Sequence, residues 1–125
     1  MPSKAARWAG WVCTVLPVFA MVMSAGMKFA KPPEVVKAFV EQFGYIESSL
    51  LVIGAVELLC AFLYVIPQTS VLGAVLCTGY LGGAIATHVR IGDNFIPPLV
   101  LGIMLWAGLW LRDPRLRALI PLRQS

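Results

Sequence analysis

The chain has 125 residues, of which 59% are hydrophobic and 13% are charged, and its mean hydropathy is +0.83. A soluble domain of this length could not bury so much apolar surface. The composition therefore excludes an ordinary soluble protein and predicts an integral membrane protein whose apolar side chains contact the lipid bilayer. The formal net charge of +4 is not accompanied by a nucleic-acid-binding motif, so we expect no nucleic-acid partner.

Four apolar stretches are long enough to cross a bilayer as helices, at about residues 8–27, 45–66, 70–88 and 95–111. Because little sequence remains between them, they predict an all-α fold: a four-helix transmembrane bundle forming a single membrane domain over residues 1–125. A cleaved secretory signal is the rival interpretation of the first stretch, since Lys4 and Arg7 precede it. Met23 argues against that interpretation, because it stands where the cleavage pattern needs a small residue.

A short amphipathic segment separates the first two stretches. Over residues 33–43 apolar side chains recur at helical spacing, while Glu34, Lys37 and Glu41 take the opposite side, and Gly44 is suited to end a helix. The segment is too short and too charged to span a membrane. We predict an interfacial helix at about residues 33–43, lying flat on the outer surface.

Basic residues are unequally divided between the two sides of the predicted bundle. Four spans place both termini on one side, with six Lys or Arg residues: Lys4, Arg7, Arg112, Arg115, Arg117 and Arg123. The other side has four, accompanied by four acids. The positive-inside rule therefore predicts both termini in the cytoplasm. The four tryptophans fall near the same side, where amphipathic rings prefer the headgroup level: Trp8, Trp11, Trp106 and Trp110.

Small residues form two pairs at four-residue spacing in the third span, Gly79 with Gly83 and Gly82 with Ala86. Such spacing lets helix backbones approach closely in lipid. We expect both pairs to serve packing within the bundle, and homodimerisation through this face is the alternative. Four other glycines are expected to act likewise: Gly54, Gly73, Gly102 and Gly108.

One carboxylate, Glu57, stands inside the second span. At 1.5 Å rise per residue it lies near the bilayer midplane, where an ionised carboxylate costs about 2.5–3.5 kcal/mol. It should therefore face the bundle interior, either protonated near neutral pH or paired with a donor. The neighbours at this depth that can donate a hydrogen bond are Thr78 and Tyr80.

Six polar side chains occur at the outer ends of the spans: Lys28, Glu47, His88, Arg90, Asp93 and Asn94. Antiparallel helices bring these ends to one level, so we predict an outward-facing pocket with Glu57 at its floor.

Within this pocket Glu57 and His88 are the candidate catalytic proton donors and acceptors. The candidate ligand-binding residues are Lys28, Tyr80, Glu47 and Asn94. The alternative is that these side chains only solvate helix ends, and this is the favoured role for Glu47, Arg90 and Asp93 taken singly. For His88, a polar cap of the helix end and a functional role are equally favoured.

Metal and redox motifs are lacking. His88 has no HxxxH, ExxH or CxxC spacing beside it, so we expect no metal. Cys13, Cys60 and Cys77 fall at similar depth and could cluster, but buried thiols of this kind are expected to act as small hydrophobes.

The order of these features resembles the DoxX-like family of small bacterial membrane proteins. The resemblance covers nearly the whole chain and includes SAGMKFA (24–30), GAVELLCAFLYVIPQT (54–69) and SVLGAVLCTGYLGGAIATH (70–88). It implies a four-helix protein of the bacterial inner membrane. One relative forms the small membrane subunit of a thiosulfate:quinone oxidoreductase, and animal relatives act as assembly factors.

Three functions are compatible with these features. The first is an accessory subunit of a quinone-linked redox assembly, which would have no intrinsic cofactor, bind a quinone or other lipophilic small molecule, and act as an oxidoreductase subunit only with a membrane or soluble protein partner. The second is a scaffold or assembly factor, which predicts a solid core. The third, a small transporter, is disfavoured because only one charge lies at the midplane. A homo-oligomer remains open.

Overall fold

A computed structural model describes residues 3–123, and within that range the secondary structure is helical, with no strand. The α-helices are α1 (Lys4–Ala30), α2 (Pro33–Lys37), α3 (Ser49–Val65), α4 (Ser70–Arg90), α5 (Ile96–Arg112) and α6 (Pro114–Arg117). The all-α prediction is confirmed. The four predicted spans correspond to α1, α3, α4 and α5, with ends that differ by a few residues.

Local sequence explains where α1 begins and ends. Ser3 caps its start, because its hydroxyl accepts a hydrogen bond of 3.0 Å from the backbone N–H of Ala6. Lys31 closes its end in the left-handed conformation, at φ 54°, and its N–H donates to the carbonyl of Met27. Pro17 is buried in the middle of α1.

The short helix α2 begins at Pro33, whose ring suits a first helical turn. It continues as a π-helical turn over Ala38–Gln42, in which the Phe43 N–H donates to the Ala38 carbonyl at 2.9 Å. Gly44 follows at φ 81°, a conformation that favours glycine. The short helix predicted at residues 33–43 is thus present, in two geometries.

The four long helices pack in a closed circuit: α1 contacts α3 and α5, and α4 contacts the same two helices. Their shared core is apolar and includes Met21, Cys60, Tyr64, Cys77 and Leu105. Cys60 and Cys77 are buried together in it, whereas Cys13 is half-buried outside it, so the predicted cluster holds two cysteines rather than three.

Three glycines allow these contacts. A Cβ on Gly108 would lie 2.6 Å from the Thr14 hydroxyl oxygen, and one on Gly54 would lie 3.2 Å from the Lys28 Cβ. A Cβ on Gly73 would overlap the backbone of Tyr64. The predicted packing role of these glycines is therefore confirmed by the absence of room for a side chain.

The glycines of the two pairs in α4 behave differently, and here the packing prediction is wrong. A Cβ on Gly79, Gly82 or Gly83 would have no neighbouring atom within 4 Å. Helical spacing identifies a face of small residues, but it does not say whether another helix of the same chain covers that face.

Large apolar side chains cover the outside of the molecule, and Phe19, Phe62 and Ile103 are about 60% exposed (64%, 59% and 60%). Two helices, Lys4–Ala30 and Pro67–Arg90, are long and apolar enough to cross a membrane by length and composition. Only 28% of the most apolar window is buried in each. Helices α3 and α5 are apolar but shorter. Such exposed apolar surface is expected of a protein in lipid.

The start of α1 and the end of α5 lie at one end of the molecule. The Arg112 guanidinium stacks 4.4 Å from the centroid of the Trp11 ring, and its Nε donates to the Thr14 hydroxyl at 3.1 Å. We call this the basic end, after its six cationic residues: Lys4, Arg7, Arg112, Arg115, Arg117 and Arg123.

Candidate functional site

An ion pair is buried between α1 and α3. The Lys28 Nζ lies 2.9 Å from Glu57 Oε1, and the two residues are only 6% and 3% exposed. Lys28 also donates to the Ser24 hydroxyl one helical turn earlier, at 2.5 Å. The donor to Glu57 is therefore Lys28 and not Thr78, whose hydroxyl donates to the Ala74 carbonyl at 2.7 Å.

The packing of α3 against α1 positions this pair. Gly54 lies one turn before Glu57 and leaves room for the Lys28 stem, since a Cβ there would already be 3.2 Å from the Lys28 Cβ. The aliphatic stem of Lys28 thus packs on a glycine while its ammonium group reaches the carboxylate. Such a pair needs close geometry, because removing either charge from water is costly.

Two aromatic residues border the ion pair. The Phe39 ring, just after α2, lies with its centroid 5.5 Å from the Lys28 Nζ, a cation–π distance. The second is Tyr80 of α4. Both rings also line a cavity, so they form the wall between that cavity and the ion pair.

We call this cavity the outer cavity. Its volume is about 280 Å³, and it lies between α4, Ile53 of α3 and residues 39–45, which follow α2. Its lining is mostly apolar and aromatic: Phe39, Phe43, Tyr45, Ile53, Gly79, Tyr80, Gly83, Ala84, Thr87 and His88. Gly79 and Gly83, which no neighbouring side chain approaches, leave the space open on the α4 side.

His88 presents one free ring nitrogen at this cavity. Its Nδ1 lies 2.6 Å from the Ala84 carbonyl oxygen, which can only accept, so Nδ1 carries the proton in the neutral ring. Nε2 then keeps its lone pair. The imidazole packs against Phe43 with 5.2 Å between ring centroids, which fixes its orientation. The arrangement provides one proton acceptor in an otherwise apolar wall.

A hydroxyl pair lies beside His88. Thr87 donates to the Gly83 carbonyl at 2.9 Å, so in its 2.7 Å contact with Tyr45 it accepts the phenolic proton. Arg90 also donates to the Phe43 carbonyl. These bonds attach the segment after α2 to the end of α4 and hold the roof of the outer cavity in place.

The predicted convergence of polar side chains is only partial. Lys28 and Glu57 meet in the buried pair, and Tyr80 and His88 line the outer cavity. Glu57 lies behind the cavity wall rather than at its floor.

The remaining two candidate ligand-binding residues lie elsewhere. Glu47 is exposed, in a shallow depression beside Pro33 and Val36. Asn94 is exposed too, and its side-chain oxygen accepts a hydrogen bond from the backbone N–H of Ile96 at the start of α5.

Four residues of this region were not singled out from the sequence: Ser24, Phe39, Phe43 and Tyr45. The aromatic ones had a signal, because they recur along the amphipathic segment, but nothing indicated that this segment folds back over α4. Among residues 3–123 no group of three or more His, Cys, Asp or Glu side chains is placed to hold a metal ion.

Comparison with known proteins identifies a family. The model of the DoxX-like family matches residues 12–108, a range that includes Lys28, Glu57, Tyr80 and His88. No curated protein and no solved structure matches the chain.

Proposed function

This chain belongs to the DoxX-like family, and we propose that it is a four-helix protein of the bacterial inner membrane that serves as an accessory subunit of a quinone-linked redox assembly. Family membership and the two long apolar helices indicate a membrane protein. We infer further that α1, α3, α4 and α5 all span, that both termini are cytoplasmic, and that the outer cavity opens on the opposite side.

The observation that carries the proposal is the outer cavity itself: an apolar, aromatic space of about 280 Å³ with the free nitrogen of His88 in its wall. An apolar cavity of roughly 150 Å³ is large enough for benzene. The space therefore suits one or two flat rings, and the lipid-soluble tail of a quinone would leave toward the bilayer. Flat aromatic walls with a few polar groups are typical of ligand sites.

Reduction of a quinone to a quinol consumes two electrons and two protons. This chain is proposed to bind no redox cofactor of its own, so the electrons come from a cofactor of a partner protein. The chain supplies the proton side of the reaction. His88 Nε2 accepts each of the two protons in turn from the outer aqueous phase and passes it to a quinone oxygen.

The buried ion pair acts from behind the wall. Lys28 holds the Glu57 carboxylate in place at 2.9 Å, and the carboxylate in turn positions Tyr80 in the cavity wall. Lys28 and Glu57 are positioning residues in this scheme, since neither lines the outer cavity.

The test fills the outer cavity without touching the core. Gly83→Val places a valine side chain in the cavity. Gly26→Val is the control: it adds the same side chain on α1, where a Cβ would also have no neighbour within 4 Å but where the residue does not line the cavity. We expect quinone recovered by extraction of the purified wild-type protein and of Gly26→Val, and at least tenfold less from Gly83→Val.

A His88→Gln variant should retain the quinone but lose the pH dependence of reduction measured in native membranes. If wild-type protein purified from those membranes contains no quinone, or if both glycine variants retain it equally, the redox proposal is wrong.

The glycine face of α4 favours a second function, that of a scaffold for membrane complexes. Gly79, Gly82 and Gly83 are uncovered within the chain, and small residues are enriched where transmembrane helices of different proteins meet. Affinity purification in mild detergent should then recover a membrane protein at a stoichiometric level. Recovery of the chain alone, with or without lipid, contradicts the scaffold function.

A further inference from the structure

A second apolar space lies on the other side of α4, and we propose that it binds one anionic phospholipid, with an acyl chain in the groove between α4 and α5 and the phosphate at Arg117. This lipid groove is separate from the outer cavity. The inference rests on the membrane placement proposed above but not on quinone binding.

The lipid groove has a volume of about 530 Å³. Its walls are apolar side chains together with two glycines, Gly82 and Gly102. A Cβ on Gly82 would have no neighbour within 4 Å, and one on Gly102 would meet only the Leu81 Cδ1, at 3.7 Å. The missing side chains therefore give the groove its depth.

The polar atoms of the walls are already satisfied. The Thr78 hydroxyl donates to the Ala74 carbonyl at 2.7 Å and accepts the Trp106 indole N–H at 2.7 Å. The Trp110 indole N–H donates to the Ile120 carbonyl at 2.9 Å. Because every hydrogen-bond donor of these side chains is already used, the groove favours a hydrocarbon occupant over one with polar groups along its length.

The groove extends along most of α5. Its lining on this helix runs from Pro98, two residues after the start of α5, to Trp110, which at 1.5 Å per residue is about 18 Å. An acyl chain that enters at the basic end would lie along α5 over this length.

A cation stands where the headgroup of that lipid would be. The Arg117 guanidinium lies 5.5 Å from the centroid of the Trp110 ring, and Trp110 is part of the groove wall. Buried Leu116 and the carbonyl of Ile120 attach this C-terminal segment to the same wall.

Arg117 has no carboxylate partner in the part of the chain that the structure describes. The only salt bridges between residues 3 and 123 are Lys28 with Glu57 and Arg115 with Asp113. Asp113 is the one acid of residues 112–123, which contain four arginines. The mouth of the groove is therefore positive, and a phosphate group complements it.

The experiment uses the full chain in mild detergent, exchanged with an equimolar mixture of phosphatidylglycerol and phosphatidylcholine of identical acyl chains. Bound lipid is counted by native mass spectrometry. Wild-type protein should retain one phosphatidylglycerol in preference to phosphatidylcholine by at least fivefold, since one basic residue near an anionic lipid changes affinity by about that factor.

Two matched pairs of variants locate the site. Arg117→Gln should abolish the preference for phosphatidylglycerol, whereas Arg7→Gln removes the same charge from the exposed start of α1 and should keep it. Gly82→Val should lower retention of both lipids at least fivefold by filling the groove, whereas Gly26→Val should not.

Equal retention of the two lipids by wild-type protein overturns the proposal even if a variant fails to fold. The proposal is also overturned if the wild-type protein is a dimer and the Gly82→Val variant is a monomer, because the occupant of the groove would then be a second copy of the chain. These outcomes are independent of the quinone content of the outer cavity, so the two proposals can fail separately.

Discussion

The buried ion pair gives the sharpest prediction about stability, through the variants Lys28→Met and Glu57→Leu and their combination. Both substitutions replace a charged side chain by an apolar one of similar size. Each single variant leaves one charge without its partner at a position that is less than 10% exposed, whereas the double variant leaves no charge there.

The magnitudes follow from the geometry. At the observed 2.9 Å, Coulomb attraction is about 6 kcal/mol for an effective dielectric constant of about 20. Burial of each ion costs several kcal/mol, so the two effects largely offset each other. Removing one partner should cost roughly 3–5 kcal/mol, because the desolvation of the other remains without its compensation. The free energy of unfolding of the double variant should be within about 1 kcal/mol of that of wild type.

Equilibrium unfolding by increasing mole fraction of sodium dodecyl sulfate, followed by far-ultraviolet circular dichroism at pH 7, measures all four proteins. Glu47→Leu is the matched control, because Glu47 is exposed and outside every salt bridge within residues 3–123; it should change the free energy of unfolding by less than about 0.5 kcal/mol.

The reasoning is refuted if the cost in the double variant equals the sum of the two single costs. Additivity would mean that Lys28 and Glu57 do not interact in the folded protein, whatever their separation in space. It is also refuted if Glu57→Leu is as mild as the exposed control.

Three further outcomes are expected from the same unfolding assay. Gly73→Ala should destabilise by about 1–3 kcal/mol, because its Cβ overlaps the Tyr64 backbone, whereas Gly26→Ala should be neutral or stabilising; equal effects would contradict the packing. Tyr64→Phe should cost about 1–2 kcal/mol through loss of its 2.5 Å hydrogen bond to a backbone carbonyl of α5, and an unchanged midpoint would contradict this. Hydrogen bonds from Arg115 lower the pKa of Asp113 below 3.8, so Asp113→Asn should destabilise at pH 7, and the difference should disappear as the pH falls through that lowered pKa; a difference that persists in acid would mean that the charge is not responsible.

Sequence patterns were sufficient for the secondary structure because each helix depends on local properties. Runs of apolar residues, the capping Ser3, the prolines in the first turns of α2 and α5, and Gly44 specify where helices begin and end. The requirement that Glu57 have a partner was equally local, since a carboxylate in an apolar helix must be neutralised or paired wherever that helix packs.

The identity of the partner depended on the tertiary structure. Lys28 is 29 residues from Glu57 along the chain, and the two meet because Gly54 lets α3 approach α1 closely. Helical spacing alone assigned Lys28 to the outer end of a span, one of six polar residues with equal claims to a pocket. Only the approach of the two helices distinguished it from Glu47 and Asn94.

The glycines illustrate the same division. Sequence determined that α4 carries a face of small residues, because the spacing of Gly79, Gly82 and Gly83 is a property of one helix. Whether that face packs on a helix of this chain or borders open space was decided by the positions of α2 and α5, which no periodicity encodes. Local interactions fix the ends and faces of each helix, while the packing of the whole chain selects the partner of each face. Here that packing left two cavities beside the α4 glycines, for which the sequence had predicted contact with another helix.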